Sequence, residues 1–275
     1  MRIVQALDQA RRAGVTRLDA QLLLARRLGR DRTWLLAHDD ESLSETARQE
    51  FAHDVARRAR GEPLAYIVGE REFHGLKLKV TPAVLVPRPE TELLVDWALE
   101  ILAGMQLGKP TAEVVDLGTG SGAIALAVKH HRPGVRMVAV DQSEDALQVA
   151  RDNARDLSLD LECLRSDWWT ALRGRRFDLA LANPPYIAAG DAHLDALTDE
   201  PLAALSPGGD GLQALQAIVD GAAPHLRPGA FLLVEHGFDQ GDAVRAMLEA
   251  GGFCMVSTRD DLAGLPRCSG GTMPV

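Results

Sequence analysis

From residue 112 onward the chain alternates short apolar runs with amphipathic segments, and this alternation narrows its possible folds more than any other feature. Strands are predicted at 112–117, 136–140, 159–164, 177–182, 230–235 and 253–257, with helices at 121–130, 143–155, 212–223 and 239–250. The run Phe177-Asp178-Leu179-Ala180-Leu181-Ala182 is almost continuously apolar, the pattern of a strand covered on both faces. Strand, helix and strand in succession build right-handed crossovers, so the expected class is α/β with a doubly wound, mostly parallel sheet. In such sheets ligands bind beyond the carboxyl ends of the strands. The turns that follow the strands are therefore where chemistry is expected.

The first of these turns is Asp116-Leu117-Gly118-Thr119-Gly120-Ser121-Gly122. Glycines there permit a tight turn and let backbone approach a ligand closely. Gly118, Gly120 and Ala123 also match the dinucleotide pattern, and Asp141 ends the next strand, where an acid would hold ribose hydroxyls. An adenosine-containing ligand follows, either a nicotinamide dinucleotide or S-adenosylmethionine. Asp116 favours the second, because a carboxylate beside the glycines suits an ammonium group better than a pyrophosphate. Asp167 and Trp168, after the third strand, offer an acceptor for an adenine amino group and a surface for its ring. As purely structural residues, Asp116 would cap its strand and Trp168, like Trp169, would pack in the core.

The fourth strand runs into Asn183-Pro184-Pro185-Tyr186. Two prolines fix successive φ angles and remove two donors, leaving a stiff corner with free carbonyls. Asn183 adds a side-chain acceptor and Tyr186 a flat aromatic face. A planar group carrying two N–H donors, such as an amide or an exocyclic amine, suits this corner. A proline-stiffened turn accounts for the same residues.

The front of the chain has a different pattern. Residues 1–60 read as helices: Ile3, Val4, Leu7 and Ala10 recur at helical spacing, as do Leu18, Leu22, Ala25 and Leu28, with Gly14 and Gly29 as stops. Trp34-Leu35-Leu36 suggests a short helix, and Ser42 with Glu45 a capping box for a helix through Phe51 and Val55. Alternation from Phe73 to Val80, followed by Val84-Leu85-Val86, predicts a β-hairpin linker. Pro87-Arg88-Pro89-Glu90-Thr91-Glu92 then opens an amphipathic helix, with a secondary reading that it packs near the ligand mouth. The expected domains are 1–72, 73–87 and 88–275.

Charge and cysteine usage limit the function. The formal net charge is −9, yet residues 1–74 carry 13 arginines, no lysine and 12 acids, so the remainder is at −10. That balance disfavours stable nucleic-acid binding by the larger part. The arginine clusters Arg11-Arg12, Arg26-Arg27 and Arg57-Arg58-Ala59-Arg60 read as solvated faces or partner contacts. Cys163, Cys254 and Cys268 are far apart with no paired spacing, which fits neither a disulfide framework nor a metal site and suits a reducing, cytoplasmic setting. No apolar run approaches a membrane span, and Asp8 interrupts the first apolar stretch, so neither membrane insertion nor a signal peptide is expected.

With these motifs in order, the sequence resembles class I S-adenosylmethionine-dependent methyltransferases, and within them the release factor glutamine methyltransferases. The narrower resemblance adds Gly61-Glu62-Pro63, Arg71-Glu72-Phe73, residues 87–92, Glu200-Pro201-Leu202-Ala203-Ala204-Leu205, Gly208-Gly209-Asp210-Gly211-Leu212, and Asp261-Leu262-Ala263-Gly264 before Arg267. It implies a seven-stranded methyltransferase sheet behind a small all-α bundle that helps to hold a protein substrate. It further implies methyl transfer to the side-chain amide of the glutamine in the Gly-Gly-Gln tip of bacterial peptide chain release factors, with S-adenosylhomocysteine as product. DNA and RNA amino-methylating enzymes share the generic motifs and remain the alternative. The implied cofactor contacts are Asp116, Gly118, Thr119, Gly120, Ser121, Gly122, Asp141, Asp167, Trp168 and Asn183. The implied substrate contacts are Asn183, Pro184, Pro185 and Tyr186, with catalysis by Asn183, Pro184 and Tyr186 and no metal. Cys268-Ser269-Gly270-Gly271 departs from the more apolar final strand of the family, which leaves its pairing open.

Overall fold

A computed structural model describes residues 1–105 and 111–275, which form two compact units, Met1–Glu70 and Arg71–Val275. The first unit is helical: α1 (Ile3–Arg12), α2 (Arg17–Leu28), α3 (Arg32–Ala37), α4 (Glu45–Ala59) and α5 (Leu64–Val68). The side chains of Thr16, Asp31 and Ser44 accept the orphan amides of Asp19, Trp34 and Ala47 and so start α2, α3 and α4. The expected Ser42–Glu45 capping box is therefore replaced by a one-sided cap two positions later, with Ala47 where the reciprocal acid would stand. Ser44 is the cap, while Ser42 forms a bridge with Arg2.

The predicted apolar stripe of α2 is also corrected. Leu18 is 49% exposed, and the buried residues are Ala20, Gln21, Leu23, Leu24 and Ala25. This helix packs against α1, α3, α4 and α5 together, so it buries a broad sector rather than one stripe. Its neighbours Ile3, Leu35, Phe51 and Val55 complete the core. Several clustered arginines are tied down internally. Arg27 Nε reaches the buried carboxylate of Asp54 at 2.5 Å, Arg58 Nε reaches Asp19 at 2.8 Å, and Arg57 pairs with Glu62.

Strands β1 (Glu70–Phe73) and β2 (Leu76–Lys79) form a tight hairpin. Its turn residues His74 and Gly75 both have positive φ, at 49° and 78°, the geometry that matches strand twist. The hairpin thus closes within the predicted first strand, and Val84-Leu85-Val86 is not its partner. Pro82 and Pro87 flank that tripeptide and cannot donate to a ladder. The Val86 amide bonds instead to the Glu200 carboxylate at 3.1 Å.

The second unit continues with a 3-10 turn (Pro89–Thr91), α6 (Glu92–Met105), β3 (Glu113–Leu117), α7 (Ala123–His131), β4 (Arg136–Asp141), α8 (Glu144–Asp156), β5 (Glu162–Arg165) and β6 (Phe177–Ala182). Then come α9 (Leu202–Leu205), α10 (Gln213–Ala222), β7 (Leu226–Glu235), α11 (Gly241–Ala250), β8 (Cys254–Asp260) and β9 (Pro266–Thr272). Seven strands make one sheet in the order β5-β4-β3-β6-β7-β9-β8, in which β9 runs antiparallel to both neighbours. Both faces are covered. Val114, Leu179, Leu181 and Leu233 pack with α6 and α7, while Val115, Leu117, Ala180 and Ala182 pack with α10 and α11. The chain reverses direction across the sheet between β3 and β6, and this switch point opens the crevice where ligands bind.

The glycine-rich end acquires its pairing here. A Cβ on Gly270 would lie 2.3 Å from Leu233 Cδ2 and 2.8 Å from the Leu232 carbonyl, and one on Gly271 would lie 3.0 Å from Phe253 Cβ. Strand β9 is glycine-rich because it is wedged between β7 and β8 under side chains already in place. No helix among the described residues is long and apolar enough to cross a membrane.

Candidate active site

Leu117 pairs with both Val140 and Ala182, and Ala182 pairs with Val234, so four strands end level with one another. The next residues are Gly118, Asp141, Asn183 and Glu235. Parallel register thus brings one polar or flexible residue from each strand to a single edge. A cleft at this edge is lined by Gly118, Thr119, Gly120 and Ser121 of the loop after β3, and by Asp141, Asp167, Trp168, Asn183 and Pro185. Pro87, Arg88 and Thr91 line it as well, in keeping with the secondary reading of residues 87–92.

The glycine loop is held at both ends. Asp141 Oδ2 accepts the Gly120 amide at 2.9 Å and its Oδ1 accepts the Ser143 amide at 2.9 Å; burial pushes this carboxyl above its usual range. Gly118, at φ 73°, leaves room for a ring: a Cβ there would lie 3.2 Å from Trp168. Trp168 itself has φ 43°, an unfavourable angle for a residue with a side chain. Ser166 holds that turn, donating to the Trp168 carbonyl at 2.7 Å and accepting the Ala171 amide at 3.0 Å. Trp169 lies in the core, its Nε1 bonded to the Ile218 carbonyl and its ring stacked on His225.

Four of the predicted site residues lie outside the cleft lining. Asp116 is fully buried, accepts the Thr119 hydroxyl at 2.6 Å, and is pushed up to about 7 by burial. It sits beneath the loop, and its Oδ1 is buried without a hydrogen-bond partner among the described residues. Gly122 permits close packing of α7 on α8, since a Cβ there would come within 3.2 Å of Ala150 Cβ. Pro184 is buried, and the Tyr186 hydroxyl donates to Glu235 Oε1 at 3.1 Å. Desolvation, then the charge of Glu235, raises the Tyr186 pKa, keeping its hydroxyl a donor.

Asn183 is oriented by its own amide. Its Nδ2 donates to Thr91 Oγ1 at 3.1 Å, which leaves Oδ1 as an acceptor. Among the described residues no donor reaches the Pro184 carbonyl. Sequence reasoning placed the stretch 87–92 near this edge but missed the bond from Asn183 to Thr91, and it missed Glu235 as part of the edge. Glu235 carried a readable sign, because it is a carboxylate that closes the apolar run Phe231-Leu232-Leu233-Val234. The Thr91–Asn183 bond carried none, since it joins residues 92 apart in the chain.

Residues 2–69 match the PrmC N-terminal domain, and residues 92–213 match the methyltransferase small domain. A release factor glutamine methyltransferase of Burkholderia pseudomallei is 48% identical across 98% of this chain and 96% of its own length. Another, from Bordetella pertussis, is 47% identical across 94% of this chain and 95% of its own. The chain belongs to the release factor glutamine methyltransferase family. At the level of fold, it is also similar to a T. thermophilus 16S rRNA N2 G1207 methyltransferase solved with AdoMet and guanosine. That structure is 23% identical with a TM-score of 0.55, over 74% of this chain and 49% of the other.

As a family member the chain is a methyltransferase that uses S-adenosylmethionine, and its cleft fits that cofactor. The glycines leave a cradle that a Cβ would fill, Asp141 offers carboxylate lone pairs to ribose hydroxyls, and Asp167 with Trp168 offers an acceptor and a ring.

Proposed function

We propose that the chain transfers the methyl group of S-adenosylmethionine to the side-chain amide nitrogen of the glutamine in the Gly-Gly-Gln motif of bacterial peptide chain release factors. The observation that carries this reading is the state of Asn183: Nδ2 is committed to Thr91, and Oδ1 stays an acceptor beside the glycine loop. A primary amide nitrogen presents two N–H donors, which match Asn183 Oδ1 and the Pro184 carbonyl. The names of the relatives support release factors as the substrate.

In this mechanism the cofactor, held by the glycine loop, Asp141, Asp167 and Trp168, supplies an electrophilic methyl group. Asn183 and Pro184 orient the glutamine nitrogen, whose lone pair is otherwise delocalised into its carbonyl. They also stabilise the positive charge that grows on it, so positioning and fixed dipoles do most of the work. Pro185 and Tyr186 keep the corner rigid, Tyr186 through the bond of its hydroxyl to Glu235, and the Tyr186 ring packs on the flat amide of the glutamine. The methylated amide cation is acidic enough to pass its proton to water without a dedicated base. We further propose that the helical unit helps to hold the release factor, that no stable nucleic-acid complex forms, and that the reaction takes place in the cytoplasm.

The test is incubation with labelled S-adenosylmethionine and purified release factor, release factor with the motif Gln→Ala change, or total RNA. Label is expected on the unaltered release factor only. Label confined to RNA, or persisting on the Gln→Ala protein, overturns the assignment.

A further inference from the structure

Among the described residues that line the cleft, Arg88 is the only lysine or arginine, while Asp141 and Asp167 add carboxylates. S-adenosylmethionine carries an ammonium, a sulfonium and an α-carboxylate. The two cationic groups suit an acidic cleft. The carboxylate is repelled there unless a cation lies beside it.

The place of Arg88 matches the end of the cofactor that bears this carboxylate. Asp167 and Trp168, after β5, suit the adenine, and Asp141, which ends β4, suits the ribose. In the sheet order β5-β4-β3-β6 the methionine end then lies toward β6, the strand that Asn183 follows. Arg88 immediately precedes the 3-10 turn Pro89–Thr91, and Thr91 accepts from Asn183 Nδ2 at 3.1 Å. The arginine therefore stands on the methionine side. Its guanidinium is already anchored: Nη2 donates to Glu200 Oε1, while Glu200 Oε2 takes the Val86 amide at 3.1 Å. The Glu200 side chain is 2% exposed and that of Arg88 34%. Among the described residues Glu200 is the one hydrogen-bond acceptor of the Arg88 side chain. A guanidinium has five N–H donors in a planar fork, so a second carboxylate can bind to donors that the first leaves free.

We propose that Arg88, anchored by Glu200, binds the α-carboxylate of S-adenosylmethionine. The inference rests on the places given above to the adenine and the ribose, and it holds for any methyl acceptor. It extends the cofactor site to an arginine and a glutamate outside the glycine loop and the Asn-Pro-Pro-Tyr turn.

The test is calorimetric titration of the full chain, without methyl acceptor, using S-adenosylmethionine and decarboxylated S-adenosylmethionine, which lacks only the carboxylate. The unaltered protein is expected to bind the complete cofactor about tenfold to a hundredfold more tightly, the scale of a charge-assisted hydrogen-bonded pair. Arg88→Met should lose that factor for S-adenosylmethionine without weakening the decarboxylated ligand. Arg88→Lys, which keeps the charge but not the fork, should fall between the two. Arg88→Met combined with Glu200→Gln leaves no unpaired buried carboxylate, and it should show the same loss of discrimination if the single variant disturbs the thermal transition. Equal affinity of the unaltered protein for both ligands overturns the proposal. So does an Arg88→Met variant that weakens both ligands by one factor, the result expected if the arginine serves only to neutralise Glu200. Asp141→Asn should weaken both ligands alike. No effect of that change would overturn the ribose placement and with it the basis of the proposal, whereas failure at Arg88 alone leaves that placement intact.

Discussion

Glu235 provides a sharp quantitative prediction. It lies under the active-site edge, fully buried, and desolvation pushes its carboxyl from the ordinary 4.5 up to about 7, with the hydroxyls of Thr91 and Tyr186 opposing the rise. Below pH 4.5 both folded and unfolded chains hold this proton, and burial of the neutral acid carries no ionisation penalty. Between 4.5 and 7 the unfolded chain releases the proton while the folded chain keeps it. The folded state then binds more protons than the unfolded one, so stability falls as pH rises through this window. A rise of that size corresponds to about 3 kcal/mol once the pH exceeds 7. Glu235→Gln is neutral throughout and escapes the fall. The stability difference between variant and wild type should therefore shift toward the variant by about 3 kcal/mol from pH 4.5 to pH 8. Asp116, also pushed up to about 7, is present in both proteins and cancels in the comparison. The assay is urea unfolding at constant ionic strength across that range. Carrying it out in a Trp34→Phe background leaves Trp97, Trp168 and Trp169, all in the second unit, as reporters. A difference that stays constant with pH would refute the reasoning.

Three further substitutions test other parts of the structure. Asn183→Ala removes one preorganised acceptor and should raise the barrier by about 3 kcal/mol, about a hundredfold in kcat, with cofactor affinity nearly unchanged in equilibrium titration; near-normal turnover would remove Asn183 from the mechanism. Gly270→Ala drives a Cβ to 2.3 Å from Leu233 and 2.8 Å from the Leu232 carbonyl. Because the carbonyl cannot move aside, a loss of about 2 kcal/mol is expected in urea unfolding of the second unit; a neutral effect would mean that β9 is not seated as described. Arg27→Leu leaves Asp54, 2% exposed, without its guanidinium, and should destabilise the helical unit by about 3 kcal/mol. Trp34 fluorescence reports this loss, and the unfolding midpoint of the second unit should not move.

The helical segments show why some local readings needed correction. Caps are local interactions, yet Ser42 and Ser44 both stand close enough to the start of α4 to be chosen from sequence. Ser42 is taken by a bridge to Arg2, a contact that residue spacing cannot reveal. Leu18 and Leu22 keep helical spacing, but α2 has neighbours on several sides, so the buried sector moved to Leu23 and Leu24. The hairpin turn was misplaced for a similar reason: alternation continues through His74-Gly75, and only the positive φ angles of those residues reveal the reversal.

What the sequence determined by itself was periodicity and the chemistry of strand ends. Apolar runs alternating with amphipathic segments are enough to specify a doubly wound sheet, and such a sheet delivers Gly118, Asp141 and Asn183 to one edge because every parallel strand points the same way. Only the tertiary structure decided what each group faces. It buried Asp116 beneath the loop, turned Tyr186 onto Glu235, wedged β9 between β7 and β8, and set Thr91 against Asn183. Those outcomes depend on hydrogen bonds and contacts between residues far apart in the chain, whose partners are chosen by register and packing rather than by any local pattern of residue types.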